Sequence, residues 1–319
     1  MINPKVVSLG GGHGLAAMLS SLRTLTPKLT AIVTVADNGG SSGRLREEFN
    51  SLPPGDLRMA LAALCGDDDW GRSWAEIMQY RFTSAGVLDG HAIGNLLLTA
   101  LWDRDTDPVK GLDRVGALLK VVGRVLPMAL EPLDIEATFR TWQGNIVIRG
   151  QKEVAAARGN LEELRLIPDK PTPTKEGLAA IAEADWITLG PGSWFSSVLP
   201  HLLVPEQRDA ICNSRAKRVI VLNLDANPEM TGDELAGSSP AEHLSIMAKY
   251  APQLRCDIAL ADSSIASQPT ERNSLEKLVT SLGGQLIVAD LSSQRGSNHH
   301  DSKKLTSTFS HIFSGEMLR

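Results

Sequence analysis

The sequence predicts an α/β fold: a mostly parallel sheet with helices on both faces and a small inserted antiparallel section. Three observations lead there. Short β-rich apolar runs alternate with stretches of helical spacing toward both ends of the chain. Two of those runs pass directly into glycines that open a helix. A block of strand-like alternation interrupts the rhythm in the middle.

Taken in order, residues 5–9 (KVVSL) form an apolar strand, 10–14 a glycine loop, 15–25 a helix and 30–35 a second strand. This βαβ unit implies parallel pairing through a right-handed crossover. Residues 36–58 are poor in apolar side chains and rich in Gly, Ser, Pro and charge, which reads as one long functional loop. Helical spacing resumes over 57–65, 74–80, 91–102 and 109–122. Residues 125–150 alternate like strands and read as a β insertion. The α/β rhythm returns with a helix at 175–183 and strands at 186–189, 218–222, 258–260 and 286–289. Residues 292–302 are polar, so 292–319 is expected to be a peripheral C-terminal segment. No linker or internal repeat divides 1–319, which reads as a single elaborated domain.

Composition narrows the function classes. The chain has 319 residues, 42% hydrophobic and 22% charged, with a net charge of −5. That balance gives no electrostatic reason to expect nucleic acid or a membrane surface as partner. Cys65, Cys212 and Cys256 fit no zinc or redox spacing and read as buried thiols of a reducing compartment. The start lacks a signal-like segment and no window approaches 18 uninterrupted apolar residues, so a cytoplasmic protein without a membrane span is expected.

The first glycine loop is Gly10-Gly11-Gly12-His13-Gly14. A strand that runs through glycines into a helix aims free backbone N–H groups at one point, which attracts phosphate. Residues 12–17 fit the G-x-G-x-x-A dinucleotide pattern, and Asp37 ends the second strand where a ribose-binding acid would sit. On these residues alone a nicotinamide oxidoreductase stays open. A P-loop kinase does not, because no G-K-[ST] follows the glycines.

The next segment widens the choice. Asp37, Asn38, Gly39, Gly40, Ser41, Ser42 and Arg44 follow the second strand, where open parallel sheets bind ligands. Asp56 and Arg58 sit in a Pro-Pro-Gly-Asp-Leu-Arg turn before a helix; Asp56 suits an N-cap or a ligand role equally. His91 and Asn95 share one face of an apolar helix, with Gly94 between them. Gly190, Gly192 and Ser193 repeat the strand–glycine–helix arrangement, and Asn223 follows another strand.

Together the runs VVSLGGGHGL, AIVTVADNGGSSGRLR, PPGDLR, QYRF, GHAIGNLLL and LGPGS resemble the YvcK branch of the CofD/YvcK family, whose members are named gluconeogenesis factors. The resemblance implies a Rossmann-like fold, a homodimer, binding of a UDP-sugar such as UDP-N-acetylglucosamine, and a role in cell shape and envelope synthesis during gluconeogenic growth. A partner among envelope-synthesis proteins stays open, because no residue of the sequence points to one. Two positions depart from the family pattern: its G-G-G-T-G has His13 here, and its aspartate pair is Asp37-Asn38. Two functions of different class follow. The first is a non-catalytic nucleotide-sugar sensor that requires no cofactor. The second is a 2-phospho-L-lactate transferase acting on a deazaflavin, as in the CofD branch, with Asp37 and Asp56 holding Mg²⁺ and Trp194 as an aromatic platform. His91 has no Ser or Cys beside it in sequence, which favours the sensor.

Overall fold

The computed structural model describes residues 3–142, 144–157, 159–224, 239–294 and 297–316. The strands are β1 Val6–Gly10, β2 Leu29–Val33, β3 Arg124–Pro127, β4 Asp134–Thr141, β5 Gly144–Arg149, β6 Asn160–Ile167, β7 Trp186–Leu189, β8 Lys217–Val221, β9 Ile258–Asp262 and β10 Gln285–Ala289. The helices are α1 Gly12–Leu22, α2 Gly40–Phe49, α3 Pro54–Ala63, α4 Asp69–Gln79, α5 Ile93–Asp105, α6 Pro108–Leu119, α7 Gln151–Ala155, α8 Lys175–Glu183, α9 Pro200–Leu203, α10 Pro205–Asn213, α11 Pro240–Tyr250, α12 Pro269–Ser281 and α13 Ser302–Ser314.

Seven strands pair in parallel in the order β10-β9-β8-β7-β1-β2-β3. Every residue of β1 and of β9 is buried. Successive side chains of a strand point to opposite faces, so both faces of the sheet are covered. One group of helices, α1, α3 to α6 and α13, packs on itself. A second contains α8 to α12. In α1 the buried Leu15, Met18, Leu19 and Leu22 make one stripe at helical spacing.

The chain winds from β1 to β2 and β3 toward one edge, then returns to β7 on the other side of β1 and continues outward. The order therefore reverses between β1 and β7, and the crevice at the C-terminal ends of those two strands is where such sheets take ligands. Gly10 and Leu189 end the strands there.

Three expectations change. Residues 36–58 are not one loop, because α2 begins at Gly40 and α3 at Pro54. In α2 the inward face is Ser41, Ser42 and Leu45, so a single apolar side chain left no periodicity to read. The insertion is not 125–150. β3 joins the main sheet as its edge, and the antiparallel sheet is β5-β4-β6, spanning 134–167. A strand as short as β3, with three apolar residues, looks the same in either setting. The C-terminal segment is not peripheral. Asp301 caps α13 through the Lys303 and Lys304 N–H groups, and Leu305, Phe309 and Ile312 are buried. Thr306 Oγ1 lies 3.1 Å from Ser21 Oγ on α1. Residues 295, 296 and 317–319 of that segment lie outside the described residues.

Candidate functional site

Two glycine loops meet at the switch point. The first leaves β1 and opens α1; the second, Gly190 to Ser193, leaves β7 and opens a π-helical turn over Trp194–Val198. They pack backbone to backbone: a methyl group on Gly14 would overlap the carbonyl oxygen of Pro191. Gly12, by contrast, needs its glycine for conformation, with φ of +60° and open space beside it. His13 is exposed and faces His299 edge-on at 6.5 Å between ring centroids.

Side chains from elsewhere fix both loops. The Asn223 amide accepts from the Gly192 N–H at 2.9 Å and donates to the Gly192 carbonyl at 2.9 Å. Ser193 Oγ accepts from the Ser196 N–H at 3.1 Å, capping the turn. His201, fully buried, places Nε2 3.3 Å from the Gly10 carbonyl and Nδ1 3.0 Å from Gln207 Nε2. With Gln207 donating, the ring is neutral and its Nε2–H is aimed at Gly10. Burial pushes its pKa down to about 4, against the opposing pull of the Gly10 carbonyl. Nothing in the local sequence PHLL marks His201; its partner Gly10 lies 191 residues away.

The loop after β2 is short. Asp37 Oδ1 accepts from the Gly39 N–H at 2.8 Å, and Asn38 Nδ2 lies 3.3 Å from Glu153 Oε2 on α7. Asn38 Oδ1 is buried without a partner. Gly40 then starts α2 with Ser41 and Ser42 in its first turn. Ser41 Oγ accepts from Asn95 Nδ2 at 2.9 Å and lies 3.0 Å from His91 Nδ1. With its proton on Nε2 the His91 ring accepts from the hydroxyl at Nδ1; the other tautomer reverses that bond. Burial, then the nearby charge of Arg44, lowers the His91 pKa.

This gives His91 the serine that the sequence did not show. Asn95 and His91 both engage this hydroxyl, so the arrangement reads as a brace. It ties the start of α2 to the start of α5. Arg44 also serves the protein itself: its guanidinium donates to the Val87 carbonyl at 3.3 Å and the Asp89 carbonyl at 2.6 Å. Beside α2 runs a groove of about 830 Å³ lined by Asn38, Gly40, Arg44, Arg46, Asp89 and Asp134, among others.

Asp56 and Arg58 bring charge to the crevice. Asp56 stands in the first turn of α3, yet its carboxylate does not cap its own helix and accepts the Gly12 N–H. A methyl on Gly11 would stand 2.6 Å from Asp56 Oδ2, so the carboxylate lies directly on the first glycine loop. Burial and then the charge of Asp37 push the Asp56 pKa up to about 7, while the Gly12 N–H and Arg58 oppose the shift. Asp37 Oδ2 and Ser42 Oγ converge on Gly55, one residue before Asp56. Arg58 is 3% exposed and donates to Gln79 Oε1, while its Nε is buried with no partner. Burial, then the charge of Arg81, lowers its pKa to about 10. Gly94 clears its path: a methyl there would stand 2.8 Å from Arg58 Cγ and 2.9 Å from the Met78 carbonyl oxygen.

The crevice thus collects Gly10 to Gly14, Gly190 to Ser193, Asp37, Ser42, Asp56 and Arg58, while Asn223, His91 and Asn95 act one step back as braces. Trp194 is buried and stacked on His243 at 5.1 Å, so it offers no open platform. Among the described residues no three His, Cys, Asp or Glu side chains converge as a metal site. None of the described helices is long and apolar enough to cross a membrane.

The sequence model of the family described as 2-phospho-L-lactate transferase CofD matches residues 6–294. The chain is 46% identical over 304 residues to a Mycobacterium tuberculosis protein named "Putative gluconeogenesis factor", covering 94% of this chain and 87% of that one. It is 33% identical over 310 residues to the "Gluconeogenesis factor" of Listeria monocytogenes, covering 95% and 93%. A crystal structure of a UPF0052 family member from Bacillus halodurans superposes with a TM-score of 0.83 at 31% identity, covering 97% of this chain and 99% of that one. On its motifs, its sheet order and this likeness over nearly its whole length, the chain belongs to the CofD/YvcK family, among proteins named gluconeogenesis factors.

Proposed function

We propose that the protein is a nucleotide-sugar sensor that binds a UDP-sugar such as UDP-N-acetylglucosamine in the switch-point crevice without turning it over. By its likeness to the named gluconeogenesis factors, it would act on cell shape and envelope synthesis during gluconeogenic growth. The observation that carries this reading is the seating of two glycine loops against each other, with Gly14 on Pro191, beside the buried Arg58. Backbone N–H groups on one side and a guanidinium on the other suit a diphosphate. Asp37 and Ser42, which converge beside Gly55, would accept from and donate to sugar or ribose hydroxyls.

A second reading, phospholactate transfer to a deazaflavin, draws support from the Asp37 and Asp56 carboxylates. Mg²⁺ typically takes one or two carboxylates and completes its shell with water and phosphate oxygens, so these two residues fit such an ion. When bound it would neutralise phosphate charge. The burial of Trp194 under His243 weighs against a deazaflavin platform there.

A thermal-shift series separates the readings. A UDP-sugar at a hundredfold excess over Kd should stabilise the chain by about 2.7 kcal/mol with no product formed. Arg58→Ala should weaken that binding about a hundredfold, since it removes a buried charged donor. Guanosine monophosphate released only with deazaflavin present would establish the transferase instead.

A further inference from the structure

The arginines of this protein divide into two sets. Twelve of those described have a carboxylate within ion-pair distance: Arg23, Arg46, Arg72, Arg104, Arg114 and Arg124 in the first half of the chain, and six more beyond it. Arg44, Arg58, Arg81, Arg215 and Arg255 have none among the described residues. The first three gather at one place, around the start of α5.

Arg81 is held there by backbone. It bridges Ala92 across a short antiparallel contact, with the Phe82 N–H on the His91 carbonyl at 3.0 Å and the Ile93 N–H on the Tyr80 carbonyl at 3.0 Å. Its own guanidinium donates to the Gly90 carbonyl at 2.8 Å. Two residues earlier, Gln79 grips Arg58. One short stretch, 79–81, therefore holds one guanidinium and carries the next. Arg58 feels the charge of Arg81 more strongly than that of Asp56 or Asp37. Like charges packed beside a buried group raise the free energy of the empty site, and an anion between them relieves it. The unpartnered Arg58 Nε adds a buried donor in need of an acceptor.

We infer that Arg81 is a ligand-binding residue and forms with Arg58 a two-guanidinium clamp for the phosphate groups of an anionic ligand. The inference deepens the nucleotide-sugar reading and rests on it for the ligand, though the clamp itself asks only for a diphosphate. Paired guanidiniums match phosphate oxygens in fixed forks, which an ammonium does not reproduce.

The test uses the full chain, with UDP-N-acetylglucosamine and inorganic pyrophosphate as probes in calorimetric titrations at several salt concentrations. Arg81→Gln should weaken both by about tenfold to a hundredfold and flatten the salt dependence, with Arg81→Lys in between. Loss of a merely structural contact would lower affinity without changing the salt slope. Arg255→Gln, at the opposite end of the strands beside Gly283, should change neither. Pyrophosphate binding that depends on Arg81, with no UDP-sugar binding, would keep the clamp and remove the nucleotide-sugar reading. Unchanged affinity in Arg81→Gln, an unchanged salt slope, or no binding of either probe to the wild-type chain would overturn the clamp.

Discussion

Gly14→Ala is expected to cost about 3 kcal/mol of stability and to abolish UDP-sugar binding, although it adds one methyl group. The methyl has nowhere to go. It would overlap the Pro191 carbonyl oxygen and approach the Gly192 nitrogen, both backbone atoms. Neither can swing aside like the end of a side chain, because Asn223 grips Gly192 at both its N–H and its carbonyl. The strain must be relieved by parting the two loops, which are the floor of the crevice. Gly12→Ala is the matched control. It has open space, and its penalty comes from the φ of +60°, about 1 kcal/mol. Urea unfolding and ligand titration of both variants measure the difference. Equal costs, or retained binding in Gly14→Ala, would show that the loops move freely past each other.

Acidification from pH 6.5 toward 4 is expected to remove up to about 3 kcal/mol of stability through His201 alone. The unfolded chain takes a proton on this ring near the ordinary value of 6.5, whereas the folded ring, enclosed and already donating to Gly10, does so only near 4. Between those values the unfolded state binds more protons, so stability falls as pH falls. His243 and His300 are also lowered to about 4 by burial and act in the same direction, with smaller effect because both retain solvent access. Asp56 opposes them. Its folded pKa near 7 exceeds the ordinary 3.8, so its contribution is present at low pH and fades as pH rises through 7. Urea unfolding between pH 4 and 7 reads the sum. His201→Gln keeps a donor toward Gly10 without a titrating ring and should flatten the acid limb by about one proton. An unchanged limb would remove His201 as its source.

The parts legible in the sequence are those where chemistry demands a residue type locally. Glycines that seat two loops against each other stand out because four occur within 10–14 and two within 190–192. The parallel strands were readable because burial on both faces makes each a continuous apolar run. What escaped depends on partners far along the chain. The start of α2 is buried through a serine hydroxyl shared with α5, so it looked like a polar loop. β3 looked like its antiparallel neighbours because period alone does not reveal which sheet a strand joins. α13 was hidden behind the polar stretch 292–302, although its own apolar spacing at Leu305, Phe309 and Ile312 could have been read. Arg81 carries no signal beyond its place in QYRF, and the lack of a carboxylate partner among the described residues is what sets it apart from the paired arginines.

The carboxylate of Asp56 on the Gly12 N–H has one more consequence. The free protein already carries an anion of its own where an incoming phosphate would be welcomed. Binding is then an exchange of one negative group for another, and an ionised Asp56 resists it. A protonated Asp56 does not, and its pKa near 7 places that change at the centre of the physiological range. On the proposed nucleotide-sugar function the chain carries an internal competitor whose strength is set by the proton, so occupancy would report ligand supply and acidity as a single variable.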